Sequence, residues 1–168
     1  MIRRKNKSVF GWHPHCESAT IATAQAALIE QTEVFDMPDS TPLRVMLVDD
    51  SKTIRKSGEA MLTAAGCVVM GADDGFDCMA KAKDFDPQFF FIDVMMPRLD
   101  GYKVSQVIRN HAELKKVPIV MLSSKDGIFD VAKGMNAGAT DYLTKPFNKE
   151  DLLNALIKHV PGFKPKTD

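Results

Sequence analysis

The sequence lacks the features that mark secreted and membrane-spanning proteins. Its three cysteines, Cys16, Cys67 and Cys78, are odd in number and widely spaced, which favours reduced thiols over a disulfide framework. No apolar run approaches the about 18 residues that a membrane span requires. Residues 1–5 are basic like the start of a signal peptide, but residues 12–15 interrupt any apolar core. We therefore expect a cytoplasmic protein without membrane insertion.

The sequence also lacks an excess of charge of either sign. Lys and Arg together number 22, as do Asp and Glu, so the net charge argues neither for nor against a nucleic-acid partner. The apolar fraction of 45% is typical of a globular protein. The 168 residues suffice for one domain of ordinary size and an extension.

Three segments are predicted. Residues 1–42 form an N-terminal extension, partly helical or disordered, that ends in a linker containing Pro38 and Pro42. Met37 is an alternative start, which would leave residues 1–36 outside the native protein. Residues 43–160 form the main domain, and residues 161–168 form a C-terminal tail. This tail is too short for a DNA-binding or enzymatic output domain, so we expect a stand-alone domain that binds proteins and no nucleic acid.

From residue 43 onward, short β-type runs alternate with helical patterns. The predicted strands are 44–48, 68–71, 89–92, 118–122 and 140–143, and the predicted helices are 51–65, 76–85, 102–111, 128–136 and 150–160. Gly66 and Gly138 are predicted to end two of the helices. In the last helix the apolar residues expected inward are Leu152, Leu153, Leu156, Ile157 and Val160. This alternation predicts an α/β fold with a parallel sheet covered on both faces.

Polar residues follow several of the apolar runs. Asp49 and Asp50 follow the first predicted strand, Asp93 the third, Ser123 the fourth and Lys145 the fifth. Each residue has an ordinary alternative interpretation, as a helix cap, a satisfied buried acid, a loop start or a surface lysine. However, ligands bind at the carboxyl ends of strands in open α/β sheets. Carboxylates and an amine together at this edge indicate a site for a divalent cation and a phosphoryl group.

These motifs resemble the receiver domain of bacterial two-component response regulators. The motifs, all in the family's order, are VDDS at 48–51, IDVMMP at 92–97, DG at 100–101, MLSS at 121–124 and DYLTKPF at 141–147. The resemblance covers residues 43–160. It implies the flavodoxin-like, CheY-like (βα)5 fold, a doubly wound sheet of five parallel strands in the order 2-1-3-4-5.

The resemblance also implies a role for individual residues. Asp93 matches the phospho-acceptor, Asp50 the direct Mg²⁺ ligand, Asp49 an acid that binds the metal mostly through water, and Met95 a backbone carbonyl ligand of the metal. Ser123 matches the hydroxyl that turns toward the phosphoryl group, Lys145 the lysine that pairs with it, and Tyr142 the aromatic switch. The Lys145–Pro146 bond is usually cis in this family.

The function implied is Mg²⁺-dependent phosphorylation of Asp93 by a histidine kinase. Added charge at Asp93 would then reshape a protein-binding surface formed by the fourth helix, fifth strand and fifth helix, with Phe129 and Phe147 as apolar anchors. Longer runs around Asp50, Asp93 and Ser123 are most similar to the PilG-type regulators of twitching motility, which act in a chemotaxis-like pathway controlling type IV pili. A flagellar chemotaxis regulator is the alternative within this class.

Other functions are disfavoured by particular residues. An aspartyl-phosphate phosphatase would need an acid two residues after the nucleophile, where this chain has Met95, which transfers no proton. We therefore expect no turnover enzyme. A non-phosphorylated pseudo-receiver is disfavoured because no site residue is missing. His13, His15 and Cys16 are metal-ligand types, but no second cluster lies near them in the sequence.

Overall fold

The computed structural model describes residues 41–124 and 128–166, with side chains from Val131 onward in the helix that begins at Ile128. Apart from Thr41 and Pro42, the predicted extension lies outside the described residues, as do its candidate ligands His13, His15 and Cys16. The strands are β1 Arg44–Val48, β2 Val68–Ala72, β3 Phe89–Asp93, β4 Ile119–Ser123 and β5 Asp141–Thr144. The helices are α1 Lys52–Ala64, α2 Gly75–Phe85, α3 Gly101–Asn110, α4 Ile128–Asn136 and α5 Lys149–His159.

The strands form one parallel sheet in the order β2-β1-β3-β4-β5. Every predicted element is present, with each end within a residue of its predicted position. The predicted α/β fold and its strand order are confirmed. Gly66 and Gly138 follow α1 and α4 with φ of 90° and 94°, a conformation that glycine adopts at no steric cost.

The alternating faces of the central strands build two cores. Phe90 and Ile92 of β3 point to one side, where residues of α2 and α3 cover them. Phe89 and Phe91 point to the other side and pack with residues of α1 and α5. β3 is therefore buried on both faces, which explains its uninterrupted apolar sequence.

One residue of the last helix, Ile157, was predicted incorrectly as facing inward. The buried residues of α5 are Leu152, Ala155 and Leu156, whereas Ile157 is 51% exposed. Successive residues of a helix are about 100° apart, so Ile157 lies well to the side of the stripe that faces the sheet. This apolar residue is on the protein surface instead of in the core.

The segment after α5 returns to the domain. Phe163 is half-buried against the core beside α1 and α5, and the Lys166 backbone N–H donates to the Ala65 carbonyl at 3.0 Å. No helix among residues 41–124 and 128–166 has the length and apolar character that a bilayer span needs.

Candidate functional site

The sheet brings the predicted strand-end residues to one edge. Asp49 and Asp50 follow β1, Asp93 is the last residue of β3, and Ser123 is the last residue of β4. Asp93 is paired in register with Leu122, and Ser123 with Thr144, directly before Lys145. Because the strands are parallel and adjacent, their carboxyl ends open into one cleft.

Lys145 bridges two of the acids. Its Nζ lies 2.6 Å from Asp49 Oδ2 and 2.8 Å from Asp93 Oδ1. The Lys145 side chain is 13% exposed, and those of Asp49 and Asp93 are 0% and 7% exposed. Burial alone would lower the pKa of Lys145, but its hydrogen bonds to Asp49 and Asp93 raise that pKa above the ordinary value. Lys145 therefore stays charged and compensates the two buried carboxylates.

Asp93 is less well compensated. Burial raises its pKa, and the charge of Asp49 adds to the effect. Hydrogen bonds from Lys145 and from the Met95 backbone N–H act in the opposite direction, yet the pKa of Asp93 remains above its ordinary value of 3.8. A raised pKa indicates a carboxylate whose charge is costly in this setting, and a cation bound beside it would offset that cost.

This shift predicts how stability depends on pH. In metal-free buffer, folded Asp93 holds its proton to higher pH than the unfolded chain does, so its contribution to stability is lost as pH rises through the folded pKa. Asp93→Asn removes that loss. We expect the variant to be more stable than the parent at pH 7, with the difference shrinking toward pH 3.8. Urea unfolding at both pH values measures this, and a difference independent of pH would contradict the prediction.

Three carboxylates could hold a divalent cation. Ligand oxygens of Asp49, Asp50 and Asp93 lie within 4.8 Å of one another. Opposite ligands of Mg²⁺ are about 4.2 Å apart, so a small contraction brings the three into one coordination sphere. Asp50 is exposed, whereas both oxygens of Asp49 accept hydrogen bonds, from the Ser51 N–H at 2.9 Å and from Lys145. The donor set therefore fits Mg²⁺ with several waters.

The helix-cap interpretation of Asp49 and Asp50 is excluded. Ser51 is the residue that caps α1, and its side chain accepts from the Ile54 N–H. The Asp49 backbone carbonyl accepts a hydrogen bond from the Arg55 guanidinium. The two acids are thus not used to begin the helix.

Tight packing fixes the loop after Asp93. The Gly101 N–H donates to the Val94 carbonyl at 3.1 Å. A Cβ at Gly101 would lie 2.2 Å from the Asp93 carbonyl oxygen, so only glycine allows the helix to approach so closely. Asp100 caps α3 by accepting from the Lys103 N–H. The Asp100-Gly101 motif therefore holds the end of β3 against the start of α3.

Sequence reasoning missed one contact of this loop. Arg98, with a φ of 67°, forms an ion pair with Asp74, which is 3% exposed and caps α2. Asp74-Gly75 before a helical run was a detectable cap signal. No local pattern links Asp74 to Arg98, because the two lie on loops after different strands.

The predicted switch residues lie on neighbouring strands. Ser123 is fully buried, and Tyr142 is half-buried on β5, where its backbone is paired with Met121. The Tyr142 ring packs against the core on the α2 and α3 side. The Lys145–Pro146 bond is cis, as the resemblance implied.

The two predicted apolar anchors, Phe129 and Phe147, remain predictions. Phe147 is half-buried and packs against the core beside α1 and α5, and the Phe129 side chain lies outside the described residues. The large apolar side chains that α4 and α5 expose are Met135, at 50%, and Ile157, at 51%, among those described.

Residues 45–157 match the response regulator receiver domain family. The chain belongs to this family. Among curated relatives, the receiver is 54% identical over 126 residues to protein PilG of Pseudomonas aeruginosa, an alignment that covers 75% of this chain and 93% of PilG. It is 35% identical to the response regulator MprA of Mycobacterium avium over 75% of this chain, but it spans only 54% of that protein.

A solved structure supports the same assignment. The chemotaxis protein CheY4 of Vibrio cholerae is 34% identical, with a TM-score of 0.69 over 71% of this chain and 99% of CheY4. Receiver domains are signalling modules that bind Mg²⁺ at an acidic cluster, and Asp49, Asp50 and Asp93 form a possible acidic group of this kind. The chain is thus a PilG-like receiver domain of a two-component response regulator.

Proposed function

We propose that this receiver is a phospho-accepting switch in which Asp93 takes a phosphoryl group from a histidine kinase, with Mg²⁺ bound at Asp49, Asp50, Asp93 and the Met95 carbonyl. The observation that carries the proposal is the Lys145 bridge, which places a cation 2.8 Å from a buried carboxylate at the mouth of the cleft. The Asp93 oxygen attacks phosphorus and the donor leaves with the bridging electron pair. Mg²⁺, when bound, neutralises charge on the transferred group.

Each remaining residue has a task that suits its position. Lys145 balances charge on the phosphoryl oxygens, and Ser123 donates a hydrogen bond to one of them. Withdrawal of Ser123 toward Asp93 leaves space for the Tyr142 ring. The surface formed by α4, β5 and α5 then shifts from one of its two conformations toward the other, and this second conformation binds a downstream protein.

The metal assignment predicts unequal effects of two substitutions. Asp50 faces solvent and keeps its oxygens for the ion, whereas Asp49 is occupied by Ser51 and Lys145. Asp50→Ala should lower Mg²⁺ affinity by about 100-fold and Asp49→Ala by about tenfold, the scale of an outer-shell partner. Calorimetric titration of Mg²⁺ into each variant measures both values. Equal losses would remove the distinction between a direct and a water-mediated ligand.

A second prediction concerns signal output. Phosphorylation should tighten binding of the downstream protein by about 1–3 kcal/mol, the usual range for coupled sites. Tyr142→Ala should shrink that increment and leave phosphoryl uptake nearly intact, because the ring is remote from the bonds that form and break. The measurement is the affinity of that protein with and without beryllofluoride. A variant that keeps the full increment would place the output on another surface.

We propose that the protein acts in the cytoplasm, in a chemotaxis-like pathway that controls type IV pili, because the identity to PilG is high over nearly all of PilG. The resemblance to CheY4 keeps flagellar chemotaxis as the second candidate. Deleting the gene should abolish surface twitching and leave swimming intact, and the Asp93→Asn gene should fail to restore twitching. Loss of swimming alone would favour the second candidate.

The same site argues against turnover of phosphorylated substrates. Met95 is 58% exposed beside Asp93 and has no group that transfers a proton. We propose that the protein takes up one phosphoryl group and does not turn over phosphorylated substrates. Steady release of phosphate from a generic phosphate ester would support the phosphatase alternative.

A further inference from the structure

The part of helix α4 whose side chains the structure describes packs on the domain through small residues. Within its described part, 131–136, the only buried residue is Gly134, followed after the helix by buried Ala137. By contrast, α5 buries Leu152 and Leu156. Since apolar area removed from water sets most of the packing energy, the 131–136 part of α4 depends strongly on its other contacts.

The chain has only two tyrosines, and both contact α4 at consecutive residues. The Tyr142 ring lies beside Gly134, with its Cδ2 3.5 Å from where a Cβ would stand. The Tyr102 ring lies under Lys133, whose Nζ is 4.3 Å from the ring centroid. A lysine ammonium at this distance is attracted to the negative face of an aromatic ring. These contacts therefore attach α4 to β5 through one tyrosine and to α3 through the other.

Tyr102 lies next to a close backbone contact with the end of β3. It follows Gly101, which touches the Asp93 carbonyl without a side chain between them. Tyr102 itself is 7% exposed and sits in the core. A shift of the backbone at Asp93 would therefore press on Gly101 and on the neighbouring Tyr102.

We propose that Tyr102 and Lys133 form a latch that holds α4 in its resting position and opposes activation at Asp93. This rests on the proposed phosphorylation of Asp93. The latch is a positioning contact separate from the Ser123 and Tyr142 route, because it runs through α3 and not through β4 and β5. Modification of Asp93 breaks the contact between Tyr102 and Lys133, and α4 can then adopt its second position.

The latch is tested by hydrogen exchange of the amides of residues 131–138 in the full-length chain, with Mg²⁺ and increasing beryllofluoride. Lys133→Gln keeps the length of the side chain and removes its charge. We expect the resting exchange rates to rise by about two- to fivefold, the range for an exposed cation–π contact. The beryllofluoride concentration at half-saturation should fall by a similar factor, because coupling between sites is reciprocal.

Two further variants make the result specific. In the Tyr102→Leu background, Lys133→Gln should change neither readout further, since the contact is already lost. Lys103→Gln removes the same charge from the residue next to Tyr102 and should leave both readouts unchanged. The latch would be overturned if Lys133→Gln left the exchange rates and the midpoint unaltered. It would also be overturned if the effects of the two substitutions multiplied in the double variant, or if Lys103→Gln gave the same shifts. If beryllofluoride did not change the exchange rates of the parent protein, the proposed phosphorylation would be overturned as well.

Discussion

Asp93→Asn will take up no phosphoryl group from acetyl phosphate and Mg²⁺, whereas the parent protein gains one. The reason is chemical: a carboxylate oxygen attacks phosphorus and displaces acetate, but a carboxamide oxygen carries no full charge and is a poor nucleophile. Asparagine has nearly the same shape, and its carbonyl can still accept from Lys145, so the cleft should persist. Intact mass after incubation measures the uptake.

The control for this variant separates chemistry from folding. Asp141→Asn changes a carboxylate on β5 that pairs with Lys158 and His159, outside the candidate site. It should take up phosphate like the parent, and the bound group should be released by mild base, as expected of an acyl phosphate. Uptake by Asp93→Asn at the parent rate would exclude Asp93 as the acceptor.

Lys145→Met is expected to lower the free energy of unfolding by about 3–5 kcal/mol in metal-free buffer at pH 7, because it leaves buried carboxylates without their cation. Asp49 and Asp93 lose the bonds of 2.6 and 2.8 Å that compensate them. The cost falls as pH decreases and Asp93 takes up a proton. Mg²⁺ should stabilise the variant more than the parent, since it replaces part of the missing charge.

Lys158→Met provides the matched comparison. Lys158 also forms an ion pair, at 2.7 Å from Asp141, but its side chain is 65% exposed. Its removal should cost at most about 1 kcal/mol, as for exposed pairs in general. Urea unfolding with and without Mg²⁺ gives both values. Equal losses in the two variants would mean that Lys145 does not compensate buried charge.

Much of the fold was predictable because local signals and tertiary structure agree. The run from Phe89 to Ile92 is apolar throughout, as a strand covered on both faces requires. The candidate site was predictable for a related reason. Polar residues directly after such strands, like Asp93 and Lys145, lie at the common edge of the sheet, because the strands themselves are buried.

The rest depends on contacts between residues distant in sequence. The ion pair of Arg98 with Asp74 and the position of Lys133 over Tyr102 carry no periodic or local signal. Hydrophobicity alone also placed Ile157 inward, although the helix rotation leaves it outside. Such features follow from how helices dock on the sheet, which a single sequence does not specify.

The central claim, that Asp93 is the residue phosphorylated, is tested most directly by locating the modified residue. Borohydride reduces an acyl phosphate to an alcohol, so a phosphorylated aspartate becomes homoserine, which tandem mass spectrometry can place in a peptide. After incubation with acetyl phosphate and Mg²⁺, we expect homoserine at position 93. Homoserine at position 49 or 50, or a phosphate on another residue that survives the reduction, would contradict it.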